Sequence, residues 1–137
     1  MATTVRRIDY FHATVKDKPG EAFAVLSRLE DEGVNLLAFS AVPCGLGHTQ
    51  VVLFPENTDS LARAASKADM VLIGPQKAFI VQGDDVLGAL ADIHHKLYEG
   101  NINVYASNGV TDGRGGYGYI FYVKPEEYEA AAQVLGL

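Results

Sequence analysis

Laid on itself with a shift of 68 residues, which puts Gly20 on Gly88, the 137-residue chain repeats an order of elements. KPGEAFAVLSRLEDEGVNL (18–36) then lies without a gap on VLGALADIHHKLYEGNINV (86–104). Leu29/Leu97, Val34/Ile102 and Asn35/Asn103 coincide in type, as do Ala22/Leu90 and Val25/Ile93. Such a chain is constrained to fold as two diverged copies of one unit, and the remaining patterns are read with that in mind.

In the first half, 8–15 alternates as a strand with Phe11, Ala13 and Val15 on one face. Residues 20–32 carry Ala22, Val25, Leu26 and Leu29 at helical spacing, with Pro19 suited to the first turn and Gly33 to the left-handed stop. Strands follow at 34–42 and 49–54, a helix at 58–68 and a brief strand at 70–73 before Gly74-Pro75. The second half gives a strand at 77–82 and a helix at 85–99 whose stripe is Leu87, Leu90, Ile93 and Leu97. It continues with a strand at 102–107, a glycine-rich turn at 109–116, a strand at 117–123 and a last helix at 126–135. The expected fold class is α+β, with units βαββαβ over 1–75 and βαββα over 76–137. The second is short of a fourth strand. This order gives antiparallel sheets with the helices on one face, the ferredoxin-like arrangement.

An antiparallel sheet with one wet face alternates cleanly. The strands at 49–54 and 117–123 are instead apolar or aromatic on both sides. The second face is therefore expected to be covered by the other copy, another subunit or both, and a homodimer joined sheet-on-sheet or through a continuous sheet is expected.

Composition limits the function. A net charge of −6 and eleven scattered basic residues speak against a nucleic-acid footprint. One cysteine, Cys44, permits no internal disulfide or thiol pair for a metal. Without a signal peptide or an apolar run of membrane-spanning length, a cytoplasmic location and no membrane partner are expected.

The sharpest local pattern is Asp17-Lys18-Pro19-Gly20 between a strand and a helix, with Gly33-Val34-Asn35 at the far end. A strand, a D-x-P-G loop, a helix of three to four turns and a glycine-apolar-asparagine strand start resemble the ACT domain, a small regulatory module that binds amino acids and related effectors. The stretch VKDKPGEAFAVLSRLEDEGVNL carries the likeness. QGDDVLGALADIHHKLYEGNINV matches more loosely, with Gly88 and Asn103 aligned but Val86-Leu87 in place of Lys18-Pro19. The resemblance covers almost the whole chain as a tandem pair.

It implies ligands at the interface between two units, using the loop of one and the strand start of the other. By that carry-over one site takes Asp17, Lys18, Pro19, Gly20 and Asn35, and the other Gly83, Asp84, Asp85, Gly88 and Asn103. The physical basis is general: a strand-to-helix loop presents helix N–H groups that lack intrahelical partners, at the positive end of the dipole. Glycine permits close approach, and an asparagine amide offers both donor and acceptor. The same residues are also ordinary helix-start and turn signals.

Other candidates carry less. His94 and His95 point about 100° apart on a helix and cannot clasp one ion as an i, i+4 pair would. His12 and His48 have no recognisable acid partner. The segment 111–116 is glycine-rich but leads into a strand without Gly-Lys-Ser/Thr, so it fails as a phosphate loop. Tyr117, Tyr119 and Phe121 at period two read as sheet packing rather than a base-stacking platform. Cys44 has no basic neighbour to activate it. No catalytic residue, metal or cofactor is expected. The chain contains no recognisable catalytic or DNA-binding segment, so regulation would act on an enzyme partner in trans or through oligomer change. The competing readings are a cofactor-free α+β barrel enzyme using His12 as base, and a structural dimerisation module with vestigial sites.

Overall fold

A computed structural model of the chain describes residues 3–137. The order is β1 (Thr4–Lys16), α1 (Glu21–Asp31), β2 (Leu36–Pro43), β3 (His48–Pro55), α2 (Thr58–Lys67), β4 (Ile73–Asp84), α3 (Ala89–Glu99), β5 (Ala106–Thr111), β6 (Gly116–Tyr122) and α4 (Tyr128–Val134), with a 3-10 turn at Pro125–Glu127 before α4. Two compact units form. One is Asp9–Gln76, and the other joins the residues up to Ile8 to Lys77–Leu137. A division at 75/76 follows the linear repeat. Contact divides the chain differently because β1 and β4 each run from one unit into the other.

In the N-terminal unit the strand order is β2-β3-β1-β4. β1 and β3 pair antiparallel from Phe11↔Leu53 to Lys16↔His48, and β2 lies on the far side of β3. The alternation read from sequence holds: Phe11 and Leu53 pack with Val25 and Leu29 of α1 and with Leu61 and Ala64 of α2. Gly33 takes φ 71, and the Val34 N–H closes the helix end on the Leu29 carbonyl at 2.9 Å. α2 starts at Asn57, whose side chain accepts from the Ser60 N–H at 3.0 Å. β4 has no separate strand before it and no linker at 74–76. A single strand begins at Ile73 and continues through Gly74-Pro75.

The C-terminal unit has the order β1-β4-β6-β5. Residues 77–137 supply βαββα, as the pattern predicts, and the missing fourth strand comes from the other end of the chain. Val5 packs against the core of this unit, and Arg7 on the same face donates through its two terminal guanidinium nitrogens to the Glu129 carboxylate of α4 at 2.8 and 3.0 Å. Arg6, on the opposite face, reaches Gln82 at 3.1 Å. Arg6 and Arg7 thus lie within β1, on its two faces. Phe79 stacks between Phe121 (5.1 Å between centroids) and Tyr128 (4.5 Å), and the Tyr128 hydroxyl donates to the Ala78 carbonyl at 3.1 Å. On the face away from α3 and α4, Ile80 and Ile120 are also buried, as the absence of clean alternation requires.

Several boundaries differ from the sequence reading. α3 begins at Ala89, four residues later than expected, because Gly88 sits in the left-handed region at φ 80 and breaks the helical run behind it. Leu87 consequently leaves the buried stripe and is fully exposed, while Ile93 and Leu97 stay buried. The strand expected at 102–107 is displaced to 106–111, because the residues of 102–105 leave the helix end as irregular chain, so the turn contracts to 112–115. β2 likewise starts two residues later than expected, at Leu36.

If the first half of β1 completes the C-terminal unit, removing residues 1–8 should expose the edge of β4. Backbone amides of 77–84 are then expected to lose hydrogen-exchange protection, while those of the β2–β3 pair keep theirs. Equal loss in both regions would contradict the division.

Candidate functional site

The two strand-to-helix loops are built alike. Asp17 N–H donates to the Gly47 carbonyl at 2.9 Å, and Asp85 N–H to the Gly115 carbonyl at 2.8 Å, which ties each loop to the tip of its own unit's hairpin. The hairpins close through Cys44 N–H to His48 O at 3.2 Å and Asp112 N–H to Gly116 O at 3.0 Å. Gly20 and Gly88 are the helix N-caps, both left-handed at φ 91 and 80. All these pairs are related by the same shift of 68 residues, although several differ in residue type. Neither N-cap supplies a side-chain hydrogen bond; at the positive end of the dipole the Glu21 N–H donates instead to the Lys18 carbonyl at 3.4 Å, the Ala89 N–H to the Val86 carbonyl at 3.1 Å and the Ala91 N–H to the Gly88 carbonyl at 3.0 Å.

In the C-terminal unit this arrangement borders a groove of about 760 Å³ between the loop, the first turn of α3 and the β5–β6 hairpin. Val86, Leu87, Leu90 and Val110 form apolar walls, and Asp85 is the charged residue in its lining. Leu87 and Val110 are exposed, a combination of apolar walls and a few convergent polar groups that suits a small-molecule site. The hairpin is held by Asp112, whose Oδ1 accepts from the N–H groups of Arg114 at 2.7 Å and Gly116 at 3.0 Å. These two bonds, Arg114 first, hold the carboxyl below the ordinary carboxylate range.

Of the residues expected at the second site, Asp85 and Gly88 line the groove. Gly83 and Asp84 lie in β4, paired with Tyr117 and Gly116, and Gly83 is buried where a Cβ would meet Thr3 Oγ1 at 2.8 Å. Its lack of a side chain is thus explained by packing. Asn103 is exposed in the irregular 102–105 stretch, away from the groove lining. At the first site, Asp17, Lys18, Pro19 and Gly20 are exposed together in one loop, and the Asn35 amide donates to the Glu56 carboxylate. At the groove positions, Lys18 and Pro19 stand where the second copy has Val86 and Leu87, and Thr49 and Gln50 where it has Tyr117 and Gly118. Sequence reasoning missed Val86, Leu87, Val110 and Tyr117. The first two were legible as the departure from Lys18-Pro19, while the hairpin's contribution depends on strand pairing.

Each histidine has a neighbouring partner: His94 Nε2 meets the Tyr119 hydroxyl at 2.6 Å, His12 Nδ1 meets Gln76 at 3.2 Å, His48 Nδ1 lies 3.0 Å from the Leu46 carbonyl, and His95 lies 3.2 Å from Glu99. None lines the groove. Among the described residues no group of three His, Cys, Asp or Glu could hold a metal, and no helix is long and apolar enough to cross a membrane.

No family model and no curated protein matches the chain. Solved structures do. Protein BT0572 from Bacteroides thetaiotaomicron is similar at TM-score 0.80 and 14% identity, over 96% of this chain and 88% of that one. The regulatory subunit of aspartate kinase from Thermus thermophilus, in a ligand-free form, is similar at TM-score 0.63 and 14% identity, over 98% and 94%. A structure of aspartokinase alpha and beta subunits gives TM-score 0.60 and 16% identity, over 98% and 95%. At these identities the likeness is one of fold.

Because its folded-state pKa is lowered, Asp112 stabilises the hairpin fully above the unfolded value of about 3.9, and this is lost as pH falls through the lowered value. The amide resonances of Arg114 and Gly116 are expected to titrate together with a midpoint below about 3.9. In Asp112→Ala that titration disappears and exchange of the Asp85 amide quickens.

Proposed function

We propose, from the tandem ACT-type fold that this chain shares with the aspartate kinase regulatory subunit, that the protein is a regulatory module binding an amino acid or similar small metabolite in the groove at the start of α3. One observation carries the reading: a glycine-started helix without a side-chain cap opens onto a groove whose walls are mostly apolar. A ligand carboxylate would lie at the positive end of the α3 dipole, and an ammonium group would face Asp85. A carboxylate at a helix end is worth about 0.3–1 kcal/mol, whereas fully covering a side chain such as Leu87 or Val110 is worth about 1.5–3 kcal/mol. Apolar contact would therefore set affinity, and the helix end orientation. The first copy, with Lys18 and Pro19 at the matching positions, is the weaker candidate under this reading.

The module would act without catalysis of its own, on a partner enzyme in trans or through a change of assembly. The β5 edge, exposed at every residue from Ala106 to Thr111, is suited to extend the sheet into a homodimer. Light scattering at micromolar concentration is expected to give twice the mass of the chain, and a monomer would count against this assembly.

Thermal-shift measurements against the twenty amino acids at millimolar concentration test the binding. A ligand at a hundred times its Kd should add about 2.7 kcal/mol to stability. Val110→Glu, at an exposed position, should leave ligand-free stability within about 0.5 kcal/mol and remove that response by setting a carboxylate against the ligand's own. No response from the wild-type protein to any amino acid would sink the proposal.

A further inference from the structure

Three tyrosines are buried in the C-terminal unit, and their hydroxyls fare differently. Tyr128 donates to the Ala78 carbonyl at 3.1 Å, and Tyr119 is met by His94 at 2.6 Å. Tyr117 is only 8% exposed, and its hydroxyl is sealed from solvent with no hydrogen-bond partner among the described residues. Tyr117 also lines the groove, and its ring belongs to the cluster against which Ala89 and Leu90 of α3 pack. An unmet buried hydroxyl is unfavourable, and a protein has no packing reason to retain one where phenylalanine would fill the same space. The first copy has Thr49 at the matching position.

We infer that the Tyr117 hydroxyl is the selectivity element of the groove, accepting a ligand whose inner end carries a neutral hydrogen-bonding group. The inference rests on the binding function proposed above and adds the ligand class to it. The ligand's carboxylate occupies the helix end, its body lies along Val86, Leu90 and Val110, and its tip reaches Tyr117 as the loop adjusts. A second negative charge is disfavoured, because the lining contains Asp85 and neither lysine nor arginine. An apolar tip would leave the hydroxyl unmet and lose binding strongly. A site built to hydrogen-bond its ligand discriminates far more sharply than an apolar pocket tolerating an added hydroxyl.

Isosteric pairs test this on the full chain: L-threonine against L-valine and L-asparagine against L-leucine, with L-aspartate as the acidic control. Calorimetry on wild type is expected to show the polar member of at least one pair bound tenfold or more tightly than its apolar partner, with aspartate weaker than asparagine. Tyr117→Phe should abolish that preference while still binding the apolar member, and its ligand-free Tm should equal or exceed that of wild type. Binding with the same preference in Tyr117→Phe, or tighter wild-type binding of the apolar members, overturns the selectivity alone. A lower ligand-free Tm in Tyr117→Phe shows that the hydroxyl already has a partner, and also overturns it. Failure of wild type to bind any of the twenty amino acids overturns the binding function itself, and this inference with it.

Discussion

Strand sharing is the constraint on which the rest of the structure depends. A βαββα segment leaves the free edge of β4 with unpaired backbone groups and an unfinished apolar layer. The residues of β1 before Asp9 answer both needs, with Val5 in the core and Arg7 clamped to Glu129. The same strand, continued past Asp9, carries Phe11 into the core of the other unit. Each copy is thus completed by a strand covalently continuous with its sibling. The boundary between the units therefore falls inside β1 and β4 rather than at a linker.

Within that frame, what is repeated is backbone geometry more than side chains. The loop-to-hairpin bonds of Asp17 and Asp85, the left-handed glycine caps at 20 and 88, and the Val34 and Ile102 helix closures recur with little identity around them. These are positions where a single φ or a backbone hydrogen bond decides whether the loop forms. Side chains between them were free to diverge. The second copy used that freedom to line a groove with Val86, Leu87, Val110 and Tyr117, while the first kept Lys18 and Pro19 in its loop.

In the groove, the helix end and the Tyr117 hydroxyl differ in kind. The helix N-terminus is a general attraction for any anion, shared by both copies and by helices everywhere. The unmet Tyr117 hydroxyl is particular to one copy, and its burial makes it far more demanding of a partner. Under the binding function proposed above, orientation and selectivity would reside in separate groups, with the apolar walls supplying contact area that favours neither.

The sequence by itself determined the duplication, the element types, the helix stops at Gly33 and Gly100, and the helical stripes around Val25, Leu29, Ile93 and Leu97. These follow from periodicity and, at Gly33, from a left-handed conformation that few residues other than glycine adopt, whereas Gly100 keeps an ordinary φ of −83 and Asn101 takes the left-handed turn at φ 61. It also marked Asp85 and Gly88, because a loop before a helix is a local signal. Only the tertiary structure decided that β1 finishes the distant unit, since strand pairing across some seventy residues leaves no local trace. It likewise decided that Leu87 is exposed rather than buried, that Asn103 lies away from the groove, and that Tyr117 lacks a partner. Each of these depends on what stands opposite a residue in space, and a chain read along its length does not carry that information.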